Sequence, residues 1–152
     1  MDELTESTST ALSGEHQTVV FRLGEESYGI EIFRVNEIIR VREITPIPGT
    51  EAHIKGLVNL RGKTIPIVDL RTRLQLPQVE QSETTRIIVV DTDGGNIGVV
   101  VDAVTEVITL MDTQIEETPA LVCDENTDFV KSLAKQDDRI ITLLDLDKAL
   151  AA

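Results

Sequence analysis

The chain has 152 residues, 41% of them apolar but only 3% aromatic, and a formal charge of −13. That length suits one domain or two small, closely packed ones, with a core of Val, Ile and Leu. So negative a chain repels nucleic-acid phosphates and anionic lipid surfaces, and its single cysteine, Cys123, excludes an internal disulfide framework and fits a reducing cytosol.

No apolar run approaches the ~20 residues of a membrane helix, and the N-terminus lacks the basic start and apolar middle of a signal peptide. A soluble, cytoplasmic protein is predicted. The charge is uneven along the chain. Residues 1–16 carry net −4, residues 17–86 net +1 and residues 87–152 net −10, together the −13 of the whole.

Residues 1–16 are rich in Ser, Thr and Glu and read as a disordered acidic tail. From Thr18 the pattern turns strand-like. Val19-Val20-Phe21-Arg22-Leu23 runs through Gly24-Glu25-Glu26-Ser27 into Tyr28-Gly29-Ile30-Glu31-Ile32, where Tyr28, Ile30 and Ile32 share one face. Val35-Asn36-Glu37-Ile38-Ile39-Arg40-Val41 follows, and Pro46, Pro48 and Gly49 then force an irregular connection. Gly56 to Leu70 reads as a hairpin with its turn closed by Gly62. Asp69 is placed to cap a short helix, Leu70 to Leu74, that stops before Pro77.

The series then begins again. Ile87-Ile88-Val89-Val90 answers the first strand, and Asp93-Gly94-Gly95-Asn96 marks a hairpin turn. Ile97-Gly98-Val99 answers Tyr28-Gly29-Ile30, and Val104-Thr105-Glu106-Val107-Ile108 answers Val35-Asn36-Glu37-Ile38-Ile39. Val130-Lys131-Ser132-Leu133 answers Ile54-Lys55-Gly56-Leu57, and Ile141 to Leu146 answers Ile65 to Leu70. Between them, Met111 to Phe129 forms a longer, acidic connection. The reading is a mainly β fold of two small barrels, about 17–86 and 87–150, that share a core because a unit of roughly 60 residues is marginal alone.

The repeat separates framework from function. Glu37 is matched by Glu106, which points to a structural role. Asn59-Leu60-Arg61-Gly62 is answered by Lys135-Gln136-Asp137-Asp138, with the turn's charge inverted, which marks Arg61 as the working residue. Arg34, Arg40, Arg42, Arg61 and Lys63 cluster near Val35, Ile38, Ile39 and Val41, a composition suited to a protein interface.

Groups for catalysis are poor. His16 falls in the tail, and His53 beside Glu51 reads as a solvated loop residue. Cys123 lies among Asp124, Glu125 and Asp128, which disfavour a thiolate. No Cys/His set has zinc spacing, and Asp91 to Asn96 lacks the glycine and glutamate of a calcium loop. Glu116-Glu117 and Asp137-Asp138 read as solvated acids, and Asp69 and Asp102 as caps or framework. No catalytic residue, metal or cofactor is predicted.

Tyr28-Gly29-Ile30, Val35-Asn36-Glu37-Ile38-Ile39, Ile54-Lys55-Gly56, Asn59-Leu60-Arg61-Gly62, Ile65 to Leu70 and Val99-Val100-Val101-Asp102, taken in order, resemble the CheW chemotaxis coupling proteins. The resemblance covers roughly residues 17–150. It implies two intertwined SH3-like five-stranded barrels with short helices and a non-catalytic adaptor, monomeric alone and assembled in membrane-receptor arrays. It implies that the adaptor joins the cytoplasmic tip of chemoreceptors to the regulatory domain of the chemotaxis histidine kinase, with no nucleic acid and no membrane insertion. The receptor-facing residues it implies are Val35, Glu37, Ile38, Gly56, Asn59, Arg61 and Gly62. For the kinase it implies barrel-to-barrel faces around Ile39, Val41, Arg86, Ile87 and Ile88, with the connection Met111 to Phe129. Two alternatives stay open: a free-standing kinase regulatory-type domain or an adaptor of the kind fused to a receiver, and an SH3-like RNA-binding module. A hydrolase using Asp69 or Asp102 is the third and weakest.

Overall fold

A computed structural model describes residues 14–117 and 129–150. The tail expected over 1–16 is outside them up to residue 13, as are Cys123 and most of the acidic connection. Glu15 and His16 are not tail residues: they begin the first strand, whose alternation extends three residues upstream of Thr18. The strands are β1 Glu15–Leu23, β2 Glu26–Glu31, β3 Val35–Arg40, β4 Ile54–Leu60 and β5 Lys63–Asp69, then β6 Arg86–Thr92, β7 Gly95–Val101, β8 Ala103–Met111, β9 Ile115–Glu116, β10 Val130–Gln136 and β11 Arg139–Leu144. Two short helices, α1 Leu70–Arg73 and α2 Leu146–Ala149, close the two copies. Each is capped as the sequence predicts: Asp69 accepts from the Arg71 amide at 3.0 Å and Asp145 from the Lys148 amide at 3.2 Å.

One curled sheet runs β8-β1-β2-β11-β10-β9 and the other β3-β6-β7-β5-β4. Among the described residues the ladders are antiparallel except β2 with β11 and β5 with β7. The barrels and the sequence copies therefore do not coincide, and no barrel boundary falls between residues 86 and 87. The first copy gives β3, β4 and β5 to one barrel and β1 and β2 to the other; the second copy fills each complement. Exchanging the copies (β1 for β6, β2 for β7, β3 for β8, β4 for β10, β5 for β11) maps one strand order onto the other. The parallel seam repeats as well, since Ile67 pairs with Gly98 and Leu143 with Gly29. Both glycines are steric requirements. A Cβ on Gly98 would lie 2.5 Å from Ile67 Cδ1, and one on Gly29 would lie 2.7 Å from Thr18 Cγ2.

A shared core of Phe21, Leu23, Ile88, Val90, Val101, Leu144 and their neighbours joins the barrels. Each fully buried aliphatic side chain contributes on the order of 1.5–3 kcal/mol, so few aromatics are needed. Inside the β3–β7 barrel, Val58, Leu60, Ile65, Ile67, Ile87 and Val89 pack into a dense cluster. The other barrel has Thr18, Ala134 and Gln136 at the positions of Ile87, Val58 and Leu60, and its private cluster shrinks to Val20, Leu110, Ala134 and Ile141. A cavity of about 360 Å³ in this half is lined by Thr18, Gly29, Ile115 and Ser132 among others.

At the corner between the barrels Arg71, buried, forms an ion pair with Asp102 and donates to the Pro77 carbonyl at 2.7 Å. The Gly24 amide also donates to Asp102, at 2.6 Å. Burial by itself would raise the Asp102 carboxyl; the Arg71 and Gly24 hydrogen bonds outweigh it and hold the group below its ordinary range. Asp102 is thus framework, as is Asp69.

Candidate functional site

The β4–β5 hairpin turns on two residues, with Leu60 paired to Lys63 across Arg61 and Gly62. Both have positive φ, 54° and 81°, the pairing that matches a hairpin's right-handed twist. Glycine adopts this region freely, but arginine does so at a cost. The Gly62 amide donates to Asn59 Oδ1 at 3.1 Å, so Asn59 stabilises the turn from its own strand. At the equivalent turn Asp137 has φ 55°, and the backbone shape is kept although the charge is not.

The turn fixes where Arg61 points. Its Nη1 donates to Glu37 Oε2 at 2.5 Å and its Nη2 to Glu37 Oε1 at 3.0 Å, a two-pronged contact to β3. In the sheet order β3 and β4 lie at opposite edges, so this ion pair closes the barrel. Arg42 donates to the Asn59 carbonyl at 3.4 Å and Thr45 bridges Leu57, which seal the same gap. The Arg61 hydrogen bond holds the Glu37 carboxyl below its ordinary range against the opposing effect of desolvation, and Glu37 in turn pushes the guanidinium up. The Arg61 side chain remains 72% exposed.

The second barrel repeats the clamp with a shifted residue: Arg139 Nη2 donates to Glu106 Oε2 at 2.6 Å. The sequence comparison set Arg61 against Asp137 and missed this, because the arginine stands two residues further along. Glu37 is structural, as its match with Glu106 predicts. Arg61 is structural too, while presenting most of its surface to solvent.

The other predicted residues divide by burial. Ile38 is exposed beside the clamp at 40%, and Val35 is half-buried against the shared core. Gly56 is no contact residue: it is buried with φ 145°, and a Cβ there would lie 2.1 Å from the Thr45 carbonyl oxygen. Ile87 and Ile88 are fully buried on opposite faces of β6, one in each core, and leave the set of available contacts. A continuous apolar run of this kind signals a strand covered on both faces, which was the clue in the sequence. Ile39 and Val41 are half-buried against the first barrel's cluster. Arg86 is half-buried and donates to the Glu83 and Thr85 carbonyls. His53 is not solvated but 5% exposed, correcting the loop reading. Ile38, Asn59, Arg61 and Gly62 are thus exposed, as are Arg40, Arg42 and Lys63.

The CheW-like domain model matches residues 17–152. The chain belongs to the CheW-like domain family. It is 35% identical to the chemotaxis protein CheW of Klebsiella aerogenes, over 95% of this chain and 89% of that protein. With the chemotaxis protein CheW of Bacillus subtilis it shares 33% identity, over 94% and 91%. The crystal structure of the scaffolding protein TtCheW from Thermoanaerobacter tengcongensis is similar with a TM-score of 0.84 and 41% identity, covering 90% of this chain and 93% of that one. The CheW-like fold explains the doubled barrel, and the clamp lies within the matched residues.

Proposed function

We propose that this chain is a chemotaxis adaptor that couples receptors to the chemotaxis histidine kinase without chemistry of its own. The observation that carries the reading is the Glu37–Arg61 clamp with Ile38 exposed beside it, on a chain similar along nearly its whole length to CheW proteins. Arg61 is held in place by the turn and by Glu37, so a partner meets an ordered guanidinium and loses little entropy in ordering it. Two donors engage Glu37; the others face solvent and suit carboxylates or backbone carbonyls of a receptor tip. Ile38 and the exposed part of Val35 would cover apolar helix surface. Ile39, Val41 and Arg86 remain for the kinase, whose regulatory domain would dock barrel to barrel.

Coupling then follows from differential binding. The adaptor transmits a receptor change only if its contacts differ between the signalling states. Arg61→Asp, which places a second carboxylate against Glu37 but keeps the turn, is expected to weaken receptor recruitment about tenfold or more. Co-sedimentation of the chain with a receptor fragment and the kinase, scored by kinase activation, tests this. Unchanged recruitment by Arg61→Asp removes Arg61 from the interface, and no ternary assembly with the unaltered chain removes the adaptor reading.

A further inference from the structure

None of the receptor-facing residues lines the cavity of the second barrel, and the adaptor reading gives it no role. Its volume of about 360 Å³ falls within the range of small-ligand sites and has room for about a dozen heavy atoms. The repeat shows how the first copy treats the same place. There Gly56 lets the Thr45 carbonyl and the Ile44 side chain press against β4, and backbone occupies the space. Ser132 takes the place of Gly56: each follows a register shift, and they pair across their hairpins with Leu143 and Ile67. At Ser132, however, the strand borders the cavity. Ser132 is only 8% exposed, and among the described residues its hydroxyl has no hydrogen-bond partner. A buried hydroxyl so placed costs stability unless water or a ligand satisfies it.

The rest of the lining is of two kinds. Ile30, Ile115, Leu143 and Leu144 supply aliphatic surface. The other part carries two ion pairs, His16 with Asp112 at 2.5 Å and Lys131 with Glu31 at 3.5 Å. Glu31 and His16 stand where the first copy has Val100 and Thr85, so this charge is particular to the second barrel. With His16 neutral, two carboxylates face one ammonium, and one negative charge is left uncompensated. We infer that the cavity binds a small organic cation, an apolar body of roughly a dozen heavy atoms bearing one ammonium. The body covers the four aliphatic side chains. The ammonium is drawn to the Glu31 and Asp112 carboxylates, with the Ser132 hydroxyl as a further acceptor. An anion of the same shape is repelled, and a neutral molecule gains no charge attraction. The cavity lies against the parallel pairing of β2 with β11, where the two copies join, so a bound cation stabilises the folded chain by mass action.

Calorimetric titration of the full chain with tryptamine, tryptophol and indole-3-propionate tests it, because the three share an indole body and differ in charge. Tryptamine should bind with a dissociation constant on the order of 0.1–1 mM and raise the melting temperature as its concentration rises. Tryptophol should bind about tenfold more weakly or worse, and indole-3-propionate should not bind measurably. Ser132→Leu, which fills the cavity, should abolish tryptamine binding with circular dichroism unchanged. Tryptamine held only by the general negative charge of the chain survives that substitution, and such a result overturns the inference. So does the absence of saturable tryptamine binding, or equal binding of all three probes. If Ser132→Leu unfolds, Glu31→Gln combined with Asp112→Asn decides by charge: tryptamine should fall to the level of tryptophol, and unchanged binding overturns the inference. Ser132→Leu leaves Glu37, Ile38 and Arg61 intact, so receptor co-sedimentation with that variant reports on the adaptor reading separately.

Discussion

His53 and Phe129 occupy equivalent places in the two copies: the His53 carbonyl accepts from the Asp69 amide at 2.7 Å, and the Phe129 carbonyl from the Asp145 amide at 2.8 Å. A histidine thus sits where the other copy has an aromatic hydrocarbon, and its Nε2 is buried with no hydrogen-bond partner among the described residues. Burial, helped by the Arg73 charge and opposed by Glu51, lowers its pKa from 6.5. The unfolded chain therefore binds a proton that the folded chain refuses, and stability falls as pH drops from 6.5 to the folded value. Urea unfolding midpoints measured from about pH 8 to about pH 5 should show this loss, and His53→Phe should flatten it while keeping the fold. A slope unchanged in His53→Phe assigns the loss elsewhere. The sequence hid this burial because Pro48, Gly49 and Glu51 announce a loop, while the hydrogen bond that pulls His53 inward comes from Asp69, sixteen positions later. Arg61 was legible from its turn and Glu37 from its match with Glu106; that the two pair was not, since nothing local joins β3 to that turn.

At the scale of the element, the hairpins were open to reading. Period-two alternation with Gly62, Gly94 and Gly95 at the turns fixes β4–β5 and β6–β7. Which strands pair across copies was not open, because β6 fits β3 as well by pattern as by any sequence neighbour. Gly56 illustrates the limit. It marks a register shift between Ile54 and Gly56, where the strand gives way to the Thr45 backbone. Gly56→Ala is expected to force that connection away from β4 and to lower stability by about 2 kcal/mol or more, through a left-handed backbone and a clash that no rotamer relieves. Chemical denaturation measures it, and a loss under about 0.5 kcal/mol refutes the steric account. By contrast, the neighbouring exposed turn at Gly62 has open space for a Cβ, and only its φ resists substitution.

For the molecule as a whole, the −13 charge is a standing repulsion concentrated in residues 87–152. Added salt screens it, so the folded state should gain stability between roughly 0.1 and 1 M sodium chloride. Thermal melting in that series checks the sign; a falling midpoint would mean that attractive pairs such as Glu37–Arg61 and Glu106–Arg139 dominate the balance. The strand exchange between copies also sets an order in time. As the chain leaves the ribosome, β1 and β2 can pair with each other early, yet their outer neighbours are β8 and β11, so Val19 and Val20 wait for Val107 and Glu106. The β3–β7 barrel can close once Val101 is made, and the other only when Leu144 is out. Synthesis thus completes the barrel bearing the clamp first, while the β1–β2 hairpin lacks one flank until β8 is made and the other until β11.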